Sequence, residues 1–130
     1  MSSEWPSFYP REIAVPPEDA VCSQGPFFRL VLSSPPQEHC FLSTHEEQPN
    51  RYKKCSGAAL QNVYGASFFD NKVQAATIRD KFPDVLGERI VAKGTLVPEV
   101  GKMKQTFSPG HYTVWIRLNS APINEFSTCE

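Results

Sequence analysis

The stretch "GHYTVWIRL", Gly110 to Leu118, decides the fold. Tyr112, Val114, Ile116 and Leu118 alternate with His111, Thr113, Trp115 and Arg117. A period of two is that of a β-strand, whose successive side chains point to opposite faces. One face is apolar and belongs against a core. The other sets an imidazole, a hydroxyl, an indole and a guanidinium in a row, where a solvated face would more usually carry Lys, Glu and Thr without a Trp. That second face is either half-buried or turned into a cleft.

Working outward, "ERIVAKGTLV" (88–97) alternates in the same way, with Ile90, Ala92 and Leu96 on one face. "KMKQTF" (102–107) is a further strand, and "INEFST" (123–128) a last edge. "PFFRLVL" (26–32) opens the set, Phe28, Leu30 and Leu32 pointing one way and Phe27, Arg29 and Val31 the other. "CFLST" (40–44) reads as a short apolar strand piece, and "HEEQPNRYKK" (45–54) as a polar loop. Ser56 is placed to cap a short helix over "GAALQNV" (57–63). "YGASFF" (64–69) resumes strand character and runs into Asp70, a good N-cap. In "NKVQAATIRDKF" (71–82), Ala75, Ile78 and Phe82 recur at helical spacing and Pro83 stops the helix, so 72–82 is the clearest helix. Strands joined by short connections, with few helices, predict an α+β fold: a single domain with a mainly antiparallel split sheet, one or two short helices and more strand than helix.

The chain has 130 residues, enough for one domain with a core and too few for two. Twelve prolines are a high load, and Pro6, Pro10, Pro16 and Pro17 fall before residue 20. Each fixes φ and removes a donor. Residues 1–26 are therefore expected to form an extended proline-rich arm, with 27–130 as the α+β domain. Trp5, Phe8 and Tyr9 carry too much apolar surface for a tail in water, so at least one should be buried on the domain.

A net charge of −1 draws the chain towards neither nucleic acid nor an anionic membrane. No signal peptide or membrane span is visible, which predicts a cytoplasmic protein. On that reading the four cysteines, which lack C-x-x-C spacing, are free thiols. His39, Cys40, His45 and Cys55 are zinc-compatible, but they lack the paired spacing of a structural site and no metal is expected. No G-x-S-x-G elbow, phosphate-binding P-loop or G-x-G-x-x-G turn is present.

What remains is a set of polar residues in apolar strands. Arg29 sits inside "FFRLV", and a buried guanidinium needs a partner anion, a carboxylate or a phosphate. Ser43 and Thr44 end "FLST". Tyr64 and Ser67 flank Gly65, where a missing side chain lets another backbone or a ligand approach. His111 opens the quoted strand. An arginine on the first core strand, a Ser-Thr strand end and "YGASFFDNKVQAA" running into a helix together resemble the ADP-ribosyltransferase superfamily. The resemblance covers about residues 27–118. It implies NAD as the substrate, held in a cleft between the halves of a split sheet. It also implies that Arg29, Ser43, Tyr64 and Ser67 bind NAD: Arg29 at a diphosphate or ribose oxygen, Tyr64 stacked on nicotinamide, Ser43 at the carboxamide or ribose. The family's third motif is a glutamate on a late strand. Here His111 stands in that place and the nearest acids are Glu99 and Glu125, so His111 or Glu125 would carry the catalysis. A shared site would bring Arg29 and His111 onto neighbouring strands, converging on one pocket; opposite sheet faces would remove it. The alternative is a non-enzymatic interaction module, such as an immunity, antitoxin or phage-encoded accessory protein, with Trp115 and Arg117 in its interface. Neither the acceptor nor the protein partner is specified by the sequence.

Overall fold

The computed structural model describes residues 5–118, 120 and 122–129. Seven strands form one sheet: β1 (Val21–Cys22), β2 (Gly25–Val31), β3 (Ala66–Phe69), β4 (Ile90–Leu96), β5 (Gly101–Gln105), β6 (His111–Ile116) and β7 (Phe126–Thr128). Four helices accompany them: α1 (Thr44–Glu47), α2 (Gly57–Val63), α3 (Lys72–Lys81) and α4 (Pro83–Leu86). The sheet order is β1-β5-β6-β3-β2-β4-β7 and every pairing is antiparallel. This is the expected single α+β domain, though α1 and α4 add helices to the one or two predicted, and helical residues are about as numerous as strand residues.

The sheet is split at its middle. β2 pairs with β4 at seven positions, from Gly25↔Leu96 to Val31↔Ile90. With β3 it shares only the pair Phe28↔Phe69. Next to that pair backbone pairing between the two strands ceases, and the Arg29 guanidinium donates to the Ser67 carbonyl instead.

Alternation along the strands builds two surfaces. Phe27, Val31, Phe68, Ala92, Leu96 and Val114 pack with Phe41 and Phe126 as the main core. On the reverse face, Leu30, Phe69 and Val91 take Ala75 of α3. Farther along that face, Trp115 packs with Val63, Tyr64 and Ala20, under α2 and the arm. His111, Thr113 and Trp115 are all buried. The indole N–H of Trp115 donates to the Gln61 carbonyl at 2.9 Å. The polar face of "GHYTVWIRL" is thus covered at its Trp115 end, while its His111 end borders a cavity.

Three local expectations are corrected. "CFLST" is no strand: Glu38–Phe41 is a 3-10 turn and Ser43 is the N-cap of α1. The spacing Ser43-x-x-Glu46 is a capping box, in which Glu46 N–H donates to Ser43 Oγ at 3.2 Å and Ser43 N–H to Glu46 Oε1 at 2.9 Å. The cap of α3 is Asn71 rather than Asp70, with Asn71 Oδ1 accepting from Gln74 N–H at 2.7 Å. Tyr64 is the C-cap of α2 and not a strand residue. A side chain at Gly65 would meet Thr113 and the Val114 carbonyl, so that glycine serves a backbone crossing rather than a ligand. The arm meets the sheet through β1 on β5. Trp5 and Tyr9 are half-buried against the Trp115 cluster while Phe8 is 37% exposed, so none of the three is fully buried.

Candidate functional site

Two cavities flank the segment Leu42–Thr44, and the predicted site residues divide between them. A cavity of about 480 Å³ has Arg29, Ser67 and His111 in its wall, together with Glu47, Arg89 and Phe107. A smaller one of about 170 Å³ holds Ser43 and Tyr64, with Phe8 and Tyr9 of the arm across it. Glu125 belongs to neither. It is exposed in the 3-10 turn Pro122–Glu125, which leads into β7 at the far edge of the sheet.

Arg29 and His111 reach one cavity by an unexpected route. β3 lies between their strands, so they are not neighbours in the sheet. The cross-strand series Phe28–Phe69–His111 puts His111 on the face of Phe28, and alternation roots Arg29 on the other. The guanidinium lies over the Phe68 ring, 5.3 Å from its centroid. Because β2 and β3 part here, it also borders the cavity on the His111 side.

Among the described residues, Arg29 donates to backbone carbonyls alone. Nε donates to Cys40 O at 3.0 Å, Nη1 to Ser67 O at 2.7 Å and Nη2 to Leu42 O at 3.0 Å. The guanidinium therefore joins β3 to the Cys40–Leu42 segment across the split. Burial lowers its pKa to about 10, opposed by the charge of Glu47, so it stays cationic at neutral pH. Among the described residues no carboxylate is hydrogen-bonded to it, and it borders the larger cavity.

His111 is 8% exposed, with its ring between Phe69 (5.2 Å) and Phe107 (5.0 Å). Nδ1 lies 3.2 Å from the Thr106 carbonyl and 3.1 Å from its hydroxyl. A carbonyl only accepts, so Nδ1 carries the proton and Nε2 the lone pair. Burial pushes the pKa below its ordinary value, against the Thr106 bond, which leaves the ring neutral at pH 7. A neutral imidazole with a lone pair on Nε2 is a proton acceptor. Thr106 Oγ1 also lies 2.7 Å from Thr113 Oγ1, tying the loop before β6 to the strand.

Phe107 is the costly residue of that loop. Its φ is 64°, the left-handed region that a bulky side chain rarely adopts, and it is 77% exposed. Gln74 of α3 fixes the loop by donating to the Pro109 carbonyl at 2.8 Å. The strained aromatic is held at the cavity edge, where Phe82, 49% exposed, also stands.

Sequence reasoning missed Glu47. It read 45–54 as a loop, whereas the capping box turns Thr44–Glu47 into a helix and swings Glu47 over the split. Glu47 Oε2 is 3.6 Å from Arg89 Nη1, and Arg89 Nη1 also donates to the Leu30 carbonyl at 3.5 Å. The S-x-x-E signature was the available signal.

The small cavity differs in kind. The hydroxyl of Ser43 donates to Glu46 Oε1 at 3.0 Å and accepts from Glu46 N–H, so it is engaged as a cap. Tyr64 is 5% exposed and packs on His45 (4.9 Å), Tyr9 (5.8 Å) and Phe8 (6.3 Å). Burial, with the charges of Tyr52 and Glu12, raises its pKa. Trp5 lies under the Arg117 guanidinium at 4.7 Å. The chain's own aromatics occupy the place where a planar ligand was expected beside Tyr64.

No group of three His, Cys, Asp or Glu side chains able to hold a metal stands together among the described residues. The four cysteines are free: Cys22 exposed, Cys40 buried, Cys55 and Cys129 half-buried. No described helix is long and apolar enough to cross a membrane. Comparison with protein-family models, with curated proteins and with solved structures gives no match for this chain.

Proposed function

We propose that the chain is a small NAD-binding protein of ADP-ribosyltransferase type, which cleaves the nicotinamide–ribose bond and passes ADP-ribose to water or an acceptor. One observation carries the reading. Where β2 and β3 cease to pair, a single cavity gathers a buried cation with no hydrogen-bonded carboxylate among the described residues (Arg29), a serine (Ser67) and a neutral histidine whose Nε2 is a base (His111). Its volume lies in the range of roughly 300–1,000 Å³ typical of small-molecule sites. Arg29, Arg89 and Lys81 favour a diphosphate, and Phe69 and Phe107 offer flat apolar surface to a ring. With three of its five N–H groups committed to carbonyls, Arg29 acts on the ligand mainly through its charge, and Arg89 and Lys81 make direct contact with phosphate oxygens. His111 accepts the proton of the attacking nucleophile.

Thermal denaturation with millimolar NAD, ADP-ribose or nicotinamide tests this. A ligand at 100 times its Kd adds about 2.7 kcal/mol to the folded state. NAD and ADP-ribose should raise the midpoint by several degrees, nicotinamide by less. No rise with any of them would refute the reading. It would favour the interaction module instead, for which the specific observation is the exposed pair Phe82 and Phe107 at the cavity mouth.

A further inference from the structure

The smaller cavity, of about 170 Å³, lies below the roughly 300 Å³ at which sites for drug-sized ligands begin, so it suits a head group rather than a dinucleotide. Phe8, Tyr9 and Tyr64 line it, with their ring centroids 5.6–6.3 Å apart. Leu42, Val114 and Ile116 add apolar surface. Two exposed carboxylates, Glu38 and Glu46, belong to the same lining, against one cation, Arg117, among the described residues. Arg117 is itself a cation on an aromatic face, its guanidinium 4.7 Å from the Trp5 ring centroid. The charge of Glu46 is felt at the ring wall: burial raises the pKa of Tyr9, and Glu46 raises it further. Electron-rich rings and a surplus of carboxylate both favour a cation.

The hydrogen bonds decide which cation. Ser43 N–H and Ser43 Oγ both donate to Glu46 Oε1, at 2.9 and 3.0 Å, so the hydroxyl and one carboxylate oxygen are already engaged. A primary ammonium carries three N–H donors, each of which needs an acceptor once it leaves water. A quaternary ammonium carries none and covers its charge with methyl groups, which suit apolar and aromatic walls. We propose that the small cavity binds a quaternary ammonium group, seated against Phe8, Tyr9 and Tyr64, with Glu38 and Glu46 supplying the countercharge. The site lies across Leu42–Thr44 from the NAD cavity and is independent of it. The proline-rich arm, which supplies Phe8 and Tyr9, is then part of a binding wall as well as a cover for Trp115. The group is carried either by a small molecule such as choline or by a trimethylated lysine, and both present the same head to the rings.

The experiment titrates choline chloride into the full chain, against sodium chloride at equal ionic strength, and follows the ring Cε1–H resonances of His45 and His111 by NMR. His45 packs on Phe8 at 5.1 Å and on Tyr64 at 4.9 Å, so its resonance should move saturably while that of His111 stays in place. The neutral carbon isostere 3,3-dimethylbutan-1-ol and the unmethylated ethanolamine should each bind about tenfold more weakly than choline. Glu46→Gln removes the charge and keeps the capping box, which accepts glutamine at that position; it should weaken choline binding about threefold. Phe8→Leu, at a 37% exposed position, should weaken it about fivefold. Thermal midpoints show that each variant is folded, and should Phe8→Leu not fold, Glu46→Gln decides alone. No saturable movement of His45 with choline at tens of millimolar would overturn the proposal. So would dimethylbutanol or ethanolamine binding as tightly as choline, or an affinity that neither variant changes. A peptide bearing trimethyl-lysine, run beside choline, assigns the source: tighter binding of the peptide places the head group on a protein, and tighter binding of choline places it on a small molecule.

Discussion

The two cavities beside α1 differ in what fills them. In the smaller, Ser43 is engaged by Glu46 and Tyr64 is covered by His45, Phe8 and Tyr9, while His45 Nδ1 is buried without a hydrogen bond. In the larger, Arg29 donates to three carbonyls and, among the described residues, to no carboxylate, the tautomer of His111 leaves Nε2 a lone pair, and Glu47 Oε2 has an ion pair with Arg89 at 3.6 Å but no hydrogen bond. The difference between them is charge: Arg29, Arg89, Lys81 and Glu47 border the larger, whereas aromatic rings of the chain's own arm face the smaller. On the function proposed above, the larger cavity is the ligand site.

The comparison breaks most easily at Arg29. Arg29→Ala removes three bonds and leaves the carbonyls of Cys40, Leu42 and Ser67 without them. A loss of about 3–5 kcal/mol in urea denaturation is expected, the cost of unpairing buried polar groups. A stable Arg29→Ala protein would show that the split is held by something else.

Next in size is the arm. Deleting residues 1–20 removes Trp5 and Tyr9, half-buried on the Trp115 cluster, and should lower stability by about 2–3 kcal/mol. Ligand binding in the large cavity should not change. An arm deletion that abolished NAD binding would move the site to the small cavity and reverse the comparison.

A smaller effect is the pH response of His111. Its folded pKa lies below the ordinary 6.5, because burial penalises the imidazolium. The unfolded chain therefore takes up this proton first as pH falls. The stability contributed by the neutral ring is whole above about pH 6.5 and is lost as the pH drops through the lowered folded value. His111→Gln should flatten the fall in stability between about pH 7 and 5. An unchanged slope would mean that His111 is not buried neutral. The least effect is expected at Phe107. Asparagine tolerates its positive φ, so Phe107→Asn should gain about 0.5 kcal/mol while weakening NAD binding.

Much of the sheet was legible in the sequence. Period-two runs placed β2, β4, β5 and β6, and Ala75 and Ile78 placed α3, because those patterns answer directly to burial. The prolines marked the arm, but its expected end at residue 26 overruns β1 (Val21–Cys22) and the start of β2 at Gly25. The site was legible only in part. Arg29, Ser67 and His111 were singled out as polar residues in apolar strands, and they do border one cavity. Ser43 and Tyr64 were grouped with them, yet a capping box and a helix end turn both to the other side of Leu42. That Arg29 faces away from His111 along its strand and still shares its cavity depends on where β2 and β3 part. No periodicity in either strand encodes that point, and Glu47 was hidden by reading its helix as a loop.

The most direct test of the central claim uses two histidines as reporters. His111 borders the large cavity, and His45 packs on Phe8 and Tyr64 beside the small one. Following their ring Cε1–H resonances by NMR during an NAD titration distinguishes the two sides of α1. Ligand in the large cavity should move the His111 resonance in a saturable way and leave His45 in place. Movement of His45 with His111 unchanged, or no movement of either at millimolar NAD, would contradict the account.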